Sequence, residues 1–373
     1  MDLQSEYLTE HLITYLGNKR KLLSFINTGI EKVKKSLNKE RLSMWDGFSG
    51  SGCVARLFKS HASKLYVSDL ESYSDTVNKC YLANRSDIDM SRVVKAIEYL
   101  NEHKLDHAKI GFIEKNYAPK DDNNIQFGER VFFTNKNAKI IDNIRRKIRE
   151  KYESDPKNND LVPFLLAPLI VETSIHTNTS GVFKGFHKKD GIGHFGGAGE
   201  NALVRIMGEI SLKMPIFSAD ECKTNVYQGD INKVVKKIPE IDVAYFDPPY
   251  NQHPYGSNYF MLNIVNNYDD PAIQDGVSGI IQDWNRSQYN KDKTAENSMI
   301  DLIENTKAKY IIFSYNDEGI IGINAFKDIL CKYGNVECMR QAYHTYRGSR
   351  NLQDRDTKVS ELLWMLEKKQ IFP

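Results

Sequence analysis

The segment Asp247-Pro248-Pro249-Tyr250 has the residue types that most specifically predict chemistry in this sequence. It follows the apolar run 241–246, so it lies at the end of a predicted strand, where open α/β sheets bind ligands. The prolines restrict the backbone, which holds a carboxylate, a carbonyl and an aromatic ring together. Two acceptors, the Asp247 carboxylate and the Pro248 carbonyl, suit the two hydrogens of an exocyclic aromatic amine and direct its lone pair at an electrophile. Tyr250 can stack on a base that has left its helix.

A glycine-rich turn follows an earlier predicted strand, in the order Asp46-Gly47-Phe48-Ser49-Gly50-Ser51-Gly52. Glycine allows a sharp turn and the close approach of a ligand. The helix that follows offers free N–H groups to an anionic group such as a carboxylate. Asp69 ends the next strand, about 20 residues on, where an acid commonly accepts hydrogen bonds from ribose hydroxyls. These features predict a nucleotide-like cofactor, although a simple strand–helix turn and a helix cap remain the alternative.

A second glycine segment, Gly191-Ile192-Gly193-His194-Phe195-Gly196, matches the pattern G-x-G-x-x-G more literally. It follows Lys188-Lys189-Asp190 rather than a strand, so the context that a dinucleotide site requires is absent. We therefore predict a flexible loop at this position.

The elements that position these residues alternate between strand and helix. Strand-like runs at 42–45 and 64–67 enclose a helix at 53–58, and a helix is predicted at 73–82. This order is typical of a βαβ unit in a doubly wound sheet. Strand character returns at 226–228, 241–246 and 310–314. The last two strand-like segments, 336–346 and 359–366, predict a closing antiparallel hairpin.

The strand–helix alternation stops between residues 85 and 215, which contain helical segments and a glycine-rich stretch. We therefore predict an α/β protein with a Rossmann-like doubly wound sheet in one domain, formed by 1–84 and 216–373. Residues 85–215 are predicted to form an inserted, mainly helical domain. The sequence has no fixed-period repeat.

Composition indicates a soluble globular protein. The chain has 373 residues, of which 40% are hydrophobic and 27% charged, with a formal net charge of +2. No apolar run is long enough to cross a bilayer, and the polar N-terminal segment has no signal-peptide pattern. The five cysteines include no Cys-x-x-Cys pair, which argues against a disulfide framework or a zinc site. The expected compartment is the cytoplasm, with no bound metal.

The motifs and their order resemble the Dam-like DNA adenine-N6 methyltransferases. The segment Tyr15-Leu16-Gly17-Asn18-Lys19-Arg20-Lys21-Leu22 comes first, followed by the glycine turn, Asp69, a long insertion and the Asp-Pro-Pro-Tyr segment. The resemblance covers the flanks well and the middle poorly. It implies S-adenosyl-L-methionine as cofactor, double-stranded DNA as substrate and target recognition by the insertion. It also implies a restriction–modification system, whose cognate endonuclease would act independently.

The resemblance also implies roles for single residues. Lys19 would line the cofactor pocket and Tyr15 would lie beside the methyl donor. The turn would hold the methionine moiety, Asp69 the ribose and Asp230 the adenine amine, although Asp230 could instead cap a helix. Gly17-Asn18 departs from the Gly-Gly often seen in the family. The full expected cofactor set is Tyr15, Gly17, Asn18, Lys19, Asp46, Phe48, Gly50, Gly52, Asp69, Asp230 and Asp247, and the expected catalytic set is Asp247, Pro248, Pro249 and Tyr250.

Several basic and aromatic residues are candidates for contact with DNA. They are Lys184, His187, Lys188 and Lys189 in the glycine-rich stretch, Tyr259 after the catalytic segment, and Arg347 between the last two strands. Each has a structural alternative: a surface loop, a helix cap or a solvated hairpin. The basic stretch 136–151 supplies either attraction to phosphate or a solvated helix face.

The sequence therefore predicts a site-specific DNA adenine-N6 methyltransferase that transfers the methyl group directly to a flipped-out adenine. Methylation of RNA adenine or of DNA cytosine-N4 is an alternative; the acid before Pro-Pro favours adenine by resemblance, and the long insertion favours duplex DNA. A dinucleotide oxidoreductase would leave Asp-Pro-Pro-Tyr without a role. A DNA-binding module without activity would not need Lys19, Asp69 and Asp247.

Overall fold

A seven-stranded mixed sheet forms the centre of the protein. The structure is a computed structural model that describes residues 5–106, 109–200, 202–316, 319–344 and 358–369. The strands are β1 (Leu42–Asp46), β2 (Ala62–Asp69), β3 (Lys188–Lys189), β4 (Ile192–Gly193), β5 (Lys223–Gln228), β6 (Ile241–Phe246), β7 (Ala308–Asn316), β8 (Gly334–His344) and β9 (Lys358–Lys368).

The order of strands in the main sheet is β5-β2-β1-β6-β7-β9-β8. The five strands from β5 to β7 are parallel, and β9 is antiparallel to both β7 and β8. The predicted α/β fold with a closing antiparallel hairpin is therefore confirmed. Every residue of β6 is buried, as expected for a central parallel strand that is covered on both faces.

Helices cover both faces of the sheet. The α-helices are α1 (Glu6–Thr9), α2 (Leu23–Leu37), α3 (Cys53–His61), α4 (Ser72–Tyr81), α5 (Met90–Glu102), α6 (Phe112–Tyr117), α7 (Asn135–Ile148), α8 (Val162–Ile175), α9 (Leu203–Met207), α10 (Ile231–Val234), α11 (Tyr255–Asn258), α12 (Phe260–Asn267), α13 (Asp292–Asn305) and α14 (Ile323–Tyr333). A 3₁₀ turn, Lys19–Leu22, precedes α2. Met44 packs in the core beneath α2 and α3, whereas its neighbour Trp45 packs with α13 and α14, because successive strand residues point to opposite faces.

A third core joins the predicted insertion to the flanking segments. It contains Ile144 of α7 and Leu169 of α8, together with Val77 of α4 and Ile264 of α12. Helix α8 is buried along nearly its whole length, since it packs between insertion and flank. The segment 85–215 is mainly helical, but its packing is continuous with the helices on both sides of it.

The second glycine segment forms a short hairpin where we predicted a flexible loop. Lys188 pairs with Gly193 and Lys189 with Ile192, in antiparallel register. The two residues between the strands, Asp190 and Gly191, both have positive φ angles of 51° and 83°. A two-residue turn of this kind matches the twist of the strands it joins, which explains why this segment is ordered.

Candidate active site

The carboxyl ends of three adjacent strands bring the predicted motifs together. Asp46 ends β1, Asp69 ends β2 and Asp247 directly follows β6. They line one cleft of about 940 Å³. Of the residues predicted for cofactor binding and catalysis, those lining it are Tyr15, Gly17, Asn18, Lys19, Asp46, Phe48, Gly50, Asp69, Asp230, Asp247 and Pro249. Gly52, Pro248 and Tyr250 belong to the same two turns but do not line the cleft.

The glycine turn is tied to the end of β2. The Gly50 N–H donates to Asp69 Oδ2 at 2.7 Å, and the Glu71 N–H donates to Asp69 Oδ1 at 2.9 Å. Gly50 and Gly52 have φ angles of 51° and 75°, which favour glycine. A Cβ at Gly52 would also lie only 2.6 Å from the Asn78 amide oxygen. The turn therefore requires glycine for both conformation and space.

Asp46 is a buried carboxylate in the wall of the cleft, with 1% of its surface exposed. No described side chain donates a hydrogen bond to either of its oxygens. Burial raises the pKa of Asp46 well above its ordinary value, and the negative charges of Asp247 and Asp69 raise it further. A buried acid without a cationic partner favours a positively charged ligand nearby, because such a charge would stabilise its ionised form.

Lys19 connects the Asp-Pro-Pro-Tyr segment to the closing hairpin. Its buried ammonium lies 3.2 Å from Asp247 Oδ1 and 2.9 Å from Glu361 Oε1, and 5.6 Å from the Tyr250 ring centre. The side chain of Asn18 caps the turn at Lys19 by accepting from the Arg20 N–H at 2.8 Å. Burial alone would lower the pKa of Lys19, but the carboxylates of Asp247 and Glu361 raise it well above its ordinary value.

Asp247 is partly buried, and its exposed fifth belongs to the cleft wall. Burial raises its pKa to about 7; the Lys19 ammonium opposes this shift and the Glu361 carboxylate adds to it. The carboxylate is therefore able to change charge near neutral pH, as functional acids often do.

Three tyrosine rings cluster beside the cleft. The centroid of the Tyr15 ring lies 4.9 Å from that of Tyr255 and 4.6 Å from that of Tyr259, and the latter two lie 5.8 Å apart. Tyr255 donates its hydroxyl to the Leu16 carbonyl at 2.9 Å, and Tyr259 accepts from the Leu16 N–H at 2.7 Å. Tyr259 is fully buried, so the structure places it inside the protein rather than at a DNA-contacting surface.

Asp230 lies at the cleft and also caps a helix. Its side chain accepts from the Asn232 N–H at 2.9 Å, at the start of α10. The position of Asp230 is thus compatible with both roles, binding an amine of the cofactor and capping a helix, because a carboxylate can accept more than one hydrogen bond.

The residues predicted to contact DNA lie mostly on the hairpin β3–β4 and the loop before it. Lys184, Lys188 and Lys189 are exposed, while His187 is half-buried. Burial lowers the pKa of His187. Arg347 lies outside the described residues.

Sequence reasoning missed two buried acids at this site. Glu361 of β9 contacts Lys19, as described above. Glu71 lines the cleft and accepts from the side-chain amides of Asn263 and Asn285 at 2.5 Å and 3.0 Å; burial raises its pKa to about 7. Glu71 follows Asp69 by two residues in the sequence, and this proximity to a predicted cofactor-binding residue was the feature that could have identified it. Among the described residues no cluster of His, Cys, Asp and Glu could hold a metal ion, and no helix is long and apolar enough to cross a membrane.

Comparisons with known proteins agree with this geometry. The family model described as D12 class N6 adenine-specific DNA methyltransferase matches residues 15–329. The chain is 28% identical over 358 residues to Type II methyltransferase M.NlaIII of Neisseria lactamica, covering 95% of this chain and 99% of that protein. It is 25% identical over 343 residues to Type II methyltransferase M.CviAII of Paramecium bursaria Chlorella virus 1, with coverage of 90% and 93%. It is also 29% identical over 367 residues to Modification methylase StsI of Streptococcus sanguinis, covering 95% of this chain but 52% of that longer protein.

Proposed function

The chain belongs to the D12 class N6 adenine-specific DNA methyltransferase family, and from this premise we propose which of its residues bind the methyl donor, hold the target base and contact DNA. It is a site-specific DNA adenine methyltransferase, and the family implies S-adenosylmethionine as the methyl donor. Membership favours this activity over RNA adenine or DNA cytosine methylation and over a dinucleotide oxidoreductase.

The cleft has groups suited to each part of the methyl donor, which supplies an electrophilic methyl group on a sulfonium. The N–H groups at the start of α3 would hold the anionic carboxylate of the methyl donor, and Asp46 would offer a buried negative charge to its cationic groups. Asp69 keeps acceptor capacity beyond its two backbone hydrogen bonds, so that it and Glu71 can accept from ribose hydroxyls. Asp230 accepts from an amine. The donor set therefore fits a cationic nucleoside ligand.

The Asp-Pro-Pro-Tyr segment is proposed to hold the extruded adenine. The ionised Asp247 accepts one hydrogen of the N6 amine, the Pro248 carbonyl accepts the other, and Tyr250 stacks on the base. The methyl donor, when bound, would offer an electrophilic methyl carbon to the N6 lone pair, and its carbon–sulfur bond would break as the new bond forms. The nitrogen would afterwards lose one proton, which Asp247 is placed to accept. Orientation supplies much of the catalysis in such a bimolecular transfer.

One observation supports this proposal above all others: the glycine turn and Asp247 line a single cleft. Methyl transfer needs the donor carbon and the N6 nitrogen within about 3–3.5 Å in the reactive geometry. Two motifs that line one cavity allow that approach, whereas motifs on separate surfaces would not.

The insertion, residues 85–215, is proposed to recognise the target sequence. Its exposed lysines Lys184, Lys188 and Lys189 would contact phosphates, with His187 beside them, and Arg347 is also proposed to contact DNA. The relatives carry the names Type II methyltransferase and Modification methylase. We therefore propose that this enzyme protects DNA within a restriction–modification system, next to a separate endonuclease.

Base-resolution mapping of N6-methyladenine in DNA treated with the enzyme and S-adenosylmethionine tests the proposed function. Asp247→Ala is expected to reduce methylation by at least about 1,000-fold, since it removes an acceptor that aligns the amine. Binding of S-adenosylmethionine, measured by calorimetry, should largely persist. The matched control Asp283→Ala removes an exposed aspartate and should leave the rate unchanged. Near-normal turnover by Asp247→Ala would contradict the assignment.

A further inference from the structure

Glu361 is a buried acid on the closing hairpin that reaches into the active site. Only 1% of its surface is exposed. Its Oε1 lies 2.9 Å from the Lys19 ammonium and accepts a hydrogen bond from the Ser314 hydroxyl on the neighbouring strand. Leu363 pairs with Ser314 in the β7–β9 register, so Glu361, two residues before Leu363, lies on the same face of the sheet as Ser314.

Lys19 is shared between two carboxylates. Its Nζ is slightly closer to Glu361 than to Asp247. An ammonium has three donors and a compact charge, so it follows whichever acceptors surround it. Without Glu361, this buried cation would have Asp247 as its remaining carboxylate partner. It would then move further onto the oxygens that the adenine amine needs.

We propose that Glu361 is a positioning residue for methyl transfer: it holds the Lys19 ammonium to one side, so that the Asp247 carboxylate keeps an oxygen for the amine of the target adenine. Glu361 acts through Lys19 and does not itself contact the base. This inference rests on the proposed role of Asp247 as the acceptor of the amine.

The charged surroundings of Asp247 give the proposal an electrostatic consequence. Groups from several elements act on this site: Lys19 before α2, Asp46 at the end of β1, Tyr245 on β6, Tyr250 and Tyr255 after it, and Glu361 on β9. Burial raises the pKa of Tyr245 and Tyr255 well above the ordinary value, so both stay neutral in an assay. The Glu361 carboxylate raises the pKa of Asp247, so replacing it with a neutral group makes ionisation of Asp247 easier.

The test compares two variants in single-turnover methylation of a duplex, with saturating S-adenosylmethionine, across pH. Glu361→Gln removes the charge but keeps the shape. We expect the methylation rate to fall by about 10- to 100-fold, because the displaced Lys19 ammonium would disturb the alignment of the target amine. The acid limb of the pH profile should move down by about one pH unit, because a neighbouring negative charge is lost. Glu361→Asp keeps the charge but shortens the reach. Its rate should fall less, and its acid limb should stay in place.

Glu367→Gln is the matched control, since it makes the same charge change at an exposed position near the other end of β9 and should behave as wild type. Thermal unfolding and cofactor binding are measured for each variant. Wild-type rate and pH profile in folded Glu361→Gln would overturn the proposal. If that variant does not fold, wild-type turnover by Glu361→Asp would overturn it instead. Failure of the wild-type enzyme to methylate adenine would reject the proposed function, and so remains distinct from both outcomes.

Discussion

The Asp247 carboxylate contacts the buried Lys19 ammonium, which it shares with a second acid, Glu361. Its pKa of about 7 means that a large fraction is protonated and unable to accept from an amine below neutral pH. The free enzyme should therefore lose activity as the pH falls through this value, because only the ionised form holds the target nitrogen.

We predict that kcat/KM for DNA, measured between pH 5.5 and 9, has an acid limb near pH 7, since this parameter reports the free enzyme. Rates should rise about tenfold per pH unit below the limb and level off above it. The control is His253→Gln, in the exposed loop after Tyr250, which should leave the limb in place. A rate independent of pH would show that ionised Asp247 is not required.

Single residues were predictable where a local motif contained them. Lys19, Asp46, Asp69 and Asp247 each lie in a short pattern with a chemical meaning, and all line the cleft. Glu361 lies in no such pattern, because its partner Lys19 is more than 300 residues away in the sequence. The available signal was one acid directly before the buried run 362–366: a charge at the start of an apolar strand requires a partner.

At the scale of elements, the hairpin β3–β4 presents two exposed lysines on a short ordered ribbon. We predict that Lys188→Ala and Lys189→Ala each weaken DNA binding to all sequences alike. Each should reduce the slope of log affinity against log salt by about 1, the effect of one lost phosphate contact. Fluorescence anisotropy between 50 and 300 mM salt measures the slope.

The control for the hairpin lysines is Lys35→Ala, an exposed lysine near the end of α2. Helix α2 leads into the start of β1, at the opposite edge of the sheet from the cleft. The slope of log affinity against log salt for Lys35→Ala should therefore equal that of wild type. Unchanged slopes in both hairpin variants would place the DNA elsewhere on the surface.

The strands of the sheet were predicted well, whereas element boundaries that depend on tertiary contacts were predicted less well. Helix α3 was predicted to end at residue 58, but it continues to His61. Lys59 is fully buried there because its ammonium donates to the carbonyls of Leu82 and Ala83 at 2.5 Å and 2.8 Å. A polar residue at a predicted helix end gives no sign of such distant acceptors.

At the scale of the whole molecule, the insertion and the flanks share one hydrophobic core. We therefore predict a single cooperative unfolding transition by calorimetry rather than two. Leu169→Ala in α8, at a fully buried position, should reduce the free energy of unfolding by about 2–5 kcal/mol and shift the whole transition. Val204→Ala changes a side chain that is 91% exposed and should have an effect within about 0.5 kcal/mol. Two separate transitions would show that the segment 85–215 folds independently.

This shared core was not visible in the sequence, because the insertion differs from the flanks in pattern. Arg145 is an example. It belongs to the basic stretch 136–151, which was expected either to attract phosphate or to lie on a solvated helix face. Arg145 is instead buried, and its guanidinium donates to the carbonyls of Val265 and Asn266 and pairs with Glu153. The two carbonyl acceptors lie 120 and 121 residues from Arg145 in the sequence, so no local pattern predicts them.

The position of β9 between β7 and β8 has a consequence for biosynthesis. During translation β8 leaves the ribosome before β9, yet its place in the sheet depends entirely on pairing with β9. A nascent chain that lacks residues 358–368 would thus contain the glycine turn, Lys19 and Asp247 while its last hairpin and Glu361 were still missing. The order of synthesis keeps the newborn active site incomplete until β9 has emerged.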